Sequence, residues 1–331
     1  MKDTLDYLFT GKTLNREEAK KTLISIGKGE ISEAETAAFL TVFNMRKIKA
    51  EELAGFRDAM VELCLSVDLS GYNTIDVCGT GGDGKNTFNI STLSAFVLAG
   101  AGVKVTKHGN YGLSSPCGSS NIFEHFGYKL SNDAAKLKNE LEETNLCYLH
   151  AALFHPAMKY VMPVRKALKV KTFFNMLGPL MNPTKPKNQL AGVFNTEALE
   201  LYHGVFNQVG INHIVLYDLN GYDEISLTGD FRLINNGKDQ TISPKSIGFD
   251  KVNAEDLHGG NTIEESAKIF LNVLENKATA TQKKVVLVNS AFAIQCYFPK
   301  KQLNDCIELA KDSIESGKAL GVLNKLIDMN K

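Results

Sequence analysis

The chain has 331 residues, more than a typical single domain, and 44% of them are hydrophobic, which suffices for a full core and excludes a disordered composition. Lysine plus arginine number 37, as do aspartate plus glutamate, so no net charge attracts nucleic acid or an acidic membrane surface. We therefore expect a folded protein with one large and one smaller domain, and neither nucleic acid nor membrane among its partners.

The cysteines and the amino-terminal residues indicate where the protein works. The six cysteines form no CxxC pair or other zinc-site spacing, and we interpret them as buried, reduced thiols. The stretch MKDTLDYLFTGKTLNREEAK lacks a signal-peptide core, and no apolar stretch approaches the roughly 20 residues that cross a bilayer. These features predict a cytoplasmic protein.

Secondary structure changes character once along the chain. Residues 1 to 70 are predicted to be helical only, with apolar residues at helical spacing in TAAFLTVFNMR and ELAGFRDAMVELCL. After Gly71, β-rich runs alternate with helical stretches, which indicates a largely parallel sheet covered by helices. The predicted strands are TIDVC, VKVT, LCYLH, QLAGVF, HIVLY and VVLVN, and FRLINNGKDQTISP is a candidate hairpin with an Asn-Gly turn.

The predicted fold class is α/β: a small all-helical domain, residues 1–70, beside a large α/β domain, residues 71–331, with a mostly parallel central sheet. Between Pro156 and Pro183 lie a helix, VMPVRKAL, and a proline-rich crossing, FNMLGPLMNP. We interpret this crossing as a stiff connection between the domains. The helices near residues 156–183 are expected to join the helical domain in space.

Polar residues and glycines follow four of the predicted strands. They occupy residues 79–83, 107–110, 150–155 and 218–224. Ligands of open α/β sheets bind beyond the carboxyl ends of the strands. We therefore expect the functional site at that edge of the sheet.

The glycine-rich loop in DVCGTGGDGKNTFNIST is the most informative of these segments. Four glycines fall in six positions, at 79, 81, 82 and 84, so the backbone can approach an anion closely and adopt positive φ. Their amides can form an anion-binding concavity. Ser91 or Thr92 is predicted to cap the following helix, whose positive end would point at the same place. The layout predicts a phosphate site.

Two familiar phosphate motifs fit this loop only in part. A GxGxxG pattern begins at Gly79, but a dinucleotide site needs an acid after the next strand, where Lys107 stands. GxxxxGK is also present, but Asn86 replaces the Ser or Thr that would hold magnesium. A tight strand-to-helix turn without a ligand is the remaining alternative. The polar residues gathered around the loop argue against it.

Asp223 and Glu224, adjacent in NGYDEIS, are either solvated loop charges or magnesium ligands. The second interpretation gains weight near a phosphate loop, because magnesium is typically held by one or two carboxylates plus substrate phosphates. Ser91 can add a hydroxyl ligand.

Four other residues have both a structural and a functional interpretation. Lys107 and His108 end a strand and are followed by glycine, which again implies close backbone approach. Arg165, on an amphipathic helix, is either a surface residue or a fork for a carboxylate. His155, in FHPAMKY, is either a helix-start residue or part of the site.

Five motifs occur in order: GTGGDGKNTFNIST, KHGNYGLSS, FHPAMKYVMPVRKAL, FNMLGPLMNP and GYDEIS. Together they resemble the anthranilate phosphoribosyltransferase family, over essentially the whole chain. The resemblance implies an active site in the cleft between the two domains, a fold shared with pyrimidine nucleoside phosphorylases, and a homodimer formed through the helical domains. It also implies transfer of the phosphoribosyl group of 5-phosphoribosyl 1-diphosphate to anthranilate, in tryptophan synthesis from chorismate, with two Mg²⁺ ions.

The resemblance further implies site residues. The donor, 5-phosphoribosyl 1-diphosphate, would be bound by Gly79, Gly82, Asp83, Thr87, Asn89, Ile90, Ser91, Thr92, Lys107, His108, Gly109, Asn110, Tyr111, Gly112, Leu113, Ser114, Ser115 and Ser119. Anthranilate would be bound by Gly79, Asn110 and Arg165, with His108 in support, and magnesium by Ser91, Asp223 and Glu224. No nucleophile or acid–base pair is expected, because positioning and charge stabilisation carry the reaction.

The chain departs from the family's pattern in two places. Tyr111 stands where many members carry arginine, and residues 116–121 read PCGSSN where Lys-Ser-Gly-Ser-Ala-Asp is usual. The first change removes a positive charge near the phosphates. Two other functions stay open: a nucleoside phosphorylase, which the Asp-Glu pair argues against, and a nucleic-acid-binding relative, which should show a basic face.

Overall fold

A computed structural model describes residues 1–112 and 115–331. Residues 1–70 contain the helices α1 (Lys2–Phe9), α2 (Arg16–Gly27), α3 (Glu33–Met45) and α4 (Ala50–Glu62). Asn15 and Ser32 cap α2 and α3, each in a capping box with a glutamate three residues on.

The described residues form one seven-stranded sheet in the order 3-2-1-4-5-6-7. Its strands are β1 (Ile75–Gly79), β2 (Val105–Gly109), β3 (Leu146–His150), β4 (Asn188–Gly192), β5 (Asn212–Asp218), β6 (Phe231–Asn235) and β7 (Lys238–Ile242). The first five strands run parallel, and β6 and β7 are antiparallel. Because β1 lies between β2 and β4, the strand order reverses beside it, which is where open sheets form a ligand crevice.

Helices cover the sheet. They are α5 (Ile90–Gly100), α6 (Ser119–His125), α7 (Ala134–Thr144), α8 (Ala151–Phe154), α9 (Met158–Leu168), α10 (Phe174–Leu177), α11 (Thr196–Val209), α12 (Ile263–Leu274), α13 (Ala280–Tyr297), α14 (Leu303–Glu315) and α15 (Lys318–Asp328).

The two faces of the sheet belong to different hydrophobic clusters. On β5, Ile214 and Leu216 join the cluster that contains α5 and α12–α15, whereas Val215 joins the cluster of α1–α4 and α9–α11. In the second cluster Phe173, just before α10, stacks on Phe56 of α4 with ring centroids 4.3 Å apart. Residues near 156–183 therefore pack with the amino-terminal helices.

The predicted fold class is confirmed, and so is the hairpin. Asn236 and Gly237 form its turn with positive φ angles of 45° and 90°, as a tight hairpin requires. Strand β7 is the outer edge of the sheet, and Lys238 and Asp239 on it are exposed.

Two local predictions were wrong. VVLVN lies inside α13 rather than in a strand, because this helix is packed between the sheet and its helical neighbours and is apolar on several sides, which hides the helical period. The cap of α5 is Asn89, not Ser91 or Thr92, and the helix begins at Ile90. The Asn89 side chain makes no capping bond, because it donates instead to the Cys117 carbonyl oxygen at 3.1 Å.

No helix in the described residues is both long and apolar enough to cross a membrane. Five of the six cysteines are buried, and Cys64 is partly exposed.

Candidate functional site

The loop after β5 folds back over the carboxyl ends of β1 and β4. Gly79 and Gly192 are paired in register at these ends. A β carbon on Gly79 would overlap the Asp223 carboxylate, and one on Gly192 would overlap the Asp223 carbonyl oxygen. Two neighbouring strands thus end in glycine so that the acidic loop can come close, a contact that the sequence does not reveal.

The glycine-rich loop has the backbone that its composition predicts. Gly81, Gly82 and Gly84 have positive φ angles of 67°, 78° and 73°, where side chains are disfavoured. The Gly81 N–H donates to Asp223 Oδ2 at 2.6 Å. The Lys171 ammonium, which precedes α10, donates to the Gly82 carbonyl oxygen at 3.1 Å. The glycine-rich loop is therefore hydrogen-bonded to the loop after β5 on one side and to the α9–α10 connection on the other.

Asp223 and Glu224 are buried side by side. Burial raises the pKa of both carboxyl groups, and the charge of Asp83 adds to the rise for Asp223. The charge of Asp223 adds in turn to the rise in the pKa of Glu224, while Lys107 and the Ser91 hydroxyl oppose it. A cation between these groups would relieve their repulsion.

The described residues contain no group of three or more His, Cys, Asp or Glu side chains placed to hold a metal ion. The possible metal ligands are instead two buried carboxylates and the serine hydroxyl beside them. This set fits Mg²⁺, which prefers oxygen ligands and usually completes its shell with water and substrate phosphates.

Lys107 is a buried cation at the end of β2. It is 3% exposed, and its ammonium makes one long hydrogen bond, 3.4 Å, to the His108 carbonyl oxygen. No carboxylate in residues 1–112 and 115–331 lies within ion-pair distance of it. A buried ammonium with free hydrogen-bonding capacity suits a bound anion.

Hydrogen bonds to the Asn110 carbonyl oxygen and to the Asn121 side chain hold the described residues of the loop after β2. The Asn110 carbonyl oxygen accepts from Ser120 N–H at 3.1 Å and from the Ser119 hydroxyl at 3.3 Å. Asn121 Oδ1 accepts from the N–H groups of Gly118 at 2.9 Å and Gly112 at 3.3 Å. These bonds join Asn110 and Gly112 to residues 118–121. Leu113 and Ser114, which the resemblance assigns to the donor site, lie outside the described residues.

Tyr111 contacts protein groups. Its ring lies edge-on to His150 with centroids 4.8 Å apart, and its hydroxyl donates to Glu124 at 3.2 Å. Beneath it, the Ser120 hydroxyl is hydrogen-bonded to Tyr148 at 2.6 Å and to His150 Nδ1 at 2.8 Å. Aromatic and hydroxyl contacts thus support the loop at the position of the departure.

Arg165 lies in α9, across the crevice. Its guanidinium donates to Asn175 Oδ1 at 3.2 Å and sits over the Phe174 ring, 5.5 Å from the centroid. An open groove of about 410 Å³ adjoins it, lined by Met162, Arg165, Lys166, Lys169, Val170, Lys171 and Asn175. Four cations along an aliphatic groove suit a small carboxylate with an apolar body.

Two buried histidines, His108 at the end of β2 and His155 after α8, lie against each other. The rings of His108 and His155 meet edge-on with centroids 5.3 Å apart. Burial lowers the pKa of both, that of His155 to about 4 and that of His108 well below its usual range, with the nearby charges of His155 and Lys107 contributing to the second. Both rings are therefore neutral at pH 7. Only His108 was singled out by the resemblance.

Two family models match the chain and identify its class. The family described as glycosyl transferase, helical bundle domain, matches residues 2–64, and the glycosyl transferase family a/b domain matches residues 71–320. The chain is 51% identical to the anthranilate phosphoribosyltransferase of Phocaeicola vulgatus over 330 residues, covering all of both chains, and 51% identical to that of Flavobacterium johnsoniae with the same coverage.

Solved structures agree. The anthranilate phosphoribosyltransferase of Thermus thermophilus superposes with a TM-score of 0.94 at 31% identity, covering 99% of both chains. The Saccharomyces cerevisiae enzyme, in complex with PRPP and Mg, superposes with a TM-score of 0.90 at 26% identity, covering 98% of this chain and 96% of its own. The chain therefore belongs to the anthranilate phosphoribosyltransferase family, which confirms the resemblance predicted from the five motifs.

Proposed function

We propose that the protein transfers the phosphoribosyl group of 5-phospho-α-D-ribose 1-diphosphate to the amine of anthranilate. The products are N-(5-phosphoribosyl)anthranilate and diphosphate, the second step of tryptophan biosynthesis from chorismate. One observation carries the proposal in a chain of this family: a glycine-rich loop, a buried lysine and a buried pair of carboxyl groups meet at one edge of the sheet.

The donor's diphosphate lies between the loops that follow β1 and β2. Amide groups of the glycine-rich loop point fixed dipoles at the phosphates, and the Lys107 ammonium supplies the buried positive charge. The other proposed contacts are Asp83, Thr87, Asn89, Ile90, Ser91, Thr92, His108, Gly109, Asn110, Tyr111, Gly112, Ser115 and Ser119. Leu113 and Ser114 stay predictions from the resemblance.

Ser91, Asp223 and Glu224 would hold magnesium, as two ions. Bound there, the metal would neutralise the charge of the departing diphosphate. Burial by itself favours the protonated carboxyl groups. Metal loading must therefore displace protons, and affinity for the metal should rise with pH.

Anthranilate lies on the opposite side of the donor's ribose. Arg165, on α9, donates two hydrogen bonds to the carboxylate of anthranilate. Gly79 and Asn110 border anthranilate at the junction of the two substrates. The lysines of the groove attract the carboxylate before it reaches Arg165.

The chemistry needs no strong base. An aromatic amine is neutral at pH 7, so its lone pair is available once anthranilate is oriented. It attacks the anomeric carbon from the face opposite the leaving diphosphate, which inverts the configuration, and the extra proton on the nitrogen then passes to the diphosphate or to water. The neutral His108 borders this reacting centre without adding a positive charge. Positioning and electrostatic stabilisation supply the rate enhancement.

Residues 1–70, together with the helices near 156–183, form the helical domain, and residues 71–331 otherwise form the α/β domain. Two copies of the chain form a homodimer through the helical domain. Most of the large apolar side chains that the described residues expose lie in the helical part, among them Phe9 and Met45. Exposed apolar surface of this kind supports association.

The decisive experiment follows the fluorescence of anthranilate in the presence of the donor and Mg²⁺. We expect the fluorescence to fall only when the protein, the donor and the metal are all present. Unchanged fluorescence in the complete mixture, with arsenolysis of thymidine by the same protein, would replace the proposal by a nucleoside phosphorylase.

A further inference from the structure

A short segment remote in sequence, Leu257–Gly260, lies against the glycine-rich loop. The Gly259 N–H donates to the Asn86 carbonyl oxygen at 2.8 Å, and the Phe88 N–H donates to the Leu257 carbonyl oxygen at 3.0 Å. Between these bonds, Thr87 and His258 form an isolated antiparallel bridge. The carboxyl-terminal part of the loop is therefore paired, like an edge strand, with a segment that the sequence analysis did not consider.

Side chains reinforce the pairing from both sides. The Asn86 amide donates to the Gly260 carbonyl oxygen at 2.9 Å. The Ser266 hydroxyl, on α12, donates to the Gly259 carbonyl oxygen at 2.6 Å and is 3% exposed. The segment is thus anchored to a helix that forms part of the core.

Gly259 is required by this close approach to the loop, and Gly260 by the approach of the segment to α12. A β carbon on Gly259 would lie 2.5 Å from the Thr87 carbonyl oxygen and 2.9 Å from the Phe88 nitrogen. These are backbone atoms, which cannot rotate aside as a side chain can. Gly260 has a φ of 88°, and a β carbon on it would lie 2.7 Å from Glu265 Cβ. A larger residue at position 259 must therefore push the loop and the segment apart, whereas one at position 260 would collide with α12.

We propose that Leu257–Gly260 is a positioning element of the donor site, a role that rests on the proposed function. It fixes the backbone of Thr87 and, through the chain, that of Asn89, both proposed donor contacts. Because Asn89 donates to the Cys117 carbonyl oxygen, the same constraint reaches the loop after β2. The segment acts through these residues and does not itself touch the donor.

Three variants test the role. Gly259→Ala introduces the clash, and Ser266→Ala removes the anchor from a buried position behind the segment. Asn261→Ala is the matched control, because it adjoins the segment and its exposed side chain makes no hydrogen bond within residues 1–112 and 115–331. For each, the KM for the donor and for anthranilate, donor binding by calorimetry with Mg²⁺, and the thermal unfolding midpoint are measured.

Because a displacement of about 1 Å in a substrate-positioning group can lower the rate roughly 100-fold, we expect kcat/KM for the donor to fall by about that factor in Gly259→Ala, with a rise in the KM and Kd of the donor. Ser266→Ala should show a smaller rise in the same direction. The KM for anthranilate should stay within about twofold of the wild-type value, as expected for a site on the other side of the crevice. Asn261→Ala should behave as wild type.

Unchanged donor constants in folded Gly259→Ala and Ser266→Ala, or an equal rise of both KM values, would overturn the positioning role. If Gly259→Ala fails to fold, Ser266→Ala decides, since it removes the hydroxyl that bonds to the carbonyl oxygens of Gly259 and Thr262 without introducing a clash. Failure of the proposed function gives a different result: the wild-type protein itself then neither binds the donor nor consumes anthranilate, and the positioning role falls with it.

Discussion

Asp223 accepts a hydrogen bond from the Gly81 N–H at 2.6 Å, so a carboxylate after β5 fixes the turn of the loop after β1. The same carboxylate occupies the space that a β carbon on Gly79 would need. In the proposed site this acid has two tasks, to shape the phosphate loop and to hold a cation. Substitutions can separate them.

Asp223→Asn keeps an oxygen that can accept from Gly81 but removes the charge. We expect the fold to survive and kcat/KM at limiting Mg²⁺ to fall about 100-fold, the size typical for one lost electrostatic contact. Initial rates across a magnesium titration measure this, and Asp230→Asn, at a side chain that is 43% exposed, is the control. The double variant Asp223→Ala with Glu224→Ala should be more severe. Normal magnesium dependence in the double variant would refute the metal assignment.

Arg165→Ala should raise the KM for anthranilate about tenfold or more, because a charged hydrogen bond to the carboxylate contributes roughly 1.5–3 kcal/mol. The KM for the donor should change little. Lys159→Ala, at an exposed position near the start of α9 that is not among the residues lining the groove, is the control. An equal change in both Michaelis constants would count against a role in binding anthranilate.

The contribution of His155 to stability should be lost in mild acid. The pKa of His155 is about 4 in the folded chain because of burial, against about 6.5 in an unfolded one. As the pH falls below 6.5 the unfolded state takes up the proton first, so the free energy of unfolding decreases by up to about 1.4 kcal/mol per pH unit until pH 4.

Urea unfolding at several pH values between 7.5 and 4.5 measures this slope. His155→Leu should have a shallower slope, whatever its absolute stability, because it removes one proton-binding group. His108 and His213, whose pKa values burial also lowers, act on the slope in the same direction, whereas the raised pKa values of Asp223 and Glu224 act in the opposite direction. Equal slopes for the wild type and the variant would contradict this assignment.

The carboxyl-terminal helix is tied to α7 through a buried acid. Glu140 accepts from the Tyr128 hydroxyl at 2.7 Å and from the Asn330 amide at 3.2 Å. Asn330→Ala leaves part of a buried carboxylate unsatisfied and should lower the free energy of unfolding by about 1–3 kcal/mol. Asn304→Ala, at an exposed position, should change it by less than about 0.5 kcal/mol. Denaturant titration compares them, and equal effects would exclude an anchoring role.

The proposed dimer makes a further prediction. Phe9→Asp with Met45→Lys places charges on exposed apolar positions of the helical part and should produce monomers. Leu219→Lys, an exposed apolar position of the α/β part, should leave the dimer intact. Light scattering after size-exclusion chromatography distinguishes the two. A monomeric wild type, or dissociation caused by Leu219→Lys alone, would reject the interface.

Much of the architecture was predictable because it depends on local signals. Strands β1 to β5 end in glycine or polar residues, and parallel strands bring those ends to one edge. The pair Asn236–Gly237 predicts the hairpin, because these residues readily adopt the positive φ angles of a tight turn. VVLVN was misassigned because β-branched residues in a fully buried helix look like a buried strand.

Lys107 and Asp223 lie at the edge of the sheet that the sequence predicted, because each follows a recognisable strand, and their roles stay predictions. What the sequence could not provide are contacts between distant backbones. The sequence does not show that the Asn89 amide donates to the Cys117 carbonyl oxygen. Nor does it show that Gly259 lies close to Thr87. The only signal for the second was the adjacent pair Gly259–Gly260.

The hairpin has a consequence for behaviour in concentrated solution. An unprotected strand at the rim of a sheet is a template for fibre growth, since its free amide and carbonyl groups can recruit another molecule. Here the rim is β7, only five residues long, with Lys238 and Asp239 exposed. Such a short, charged border discourages runaway stacking of one copy on the next.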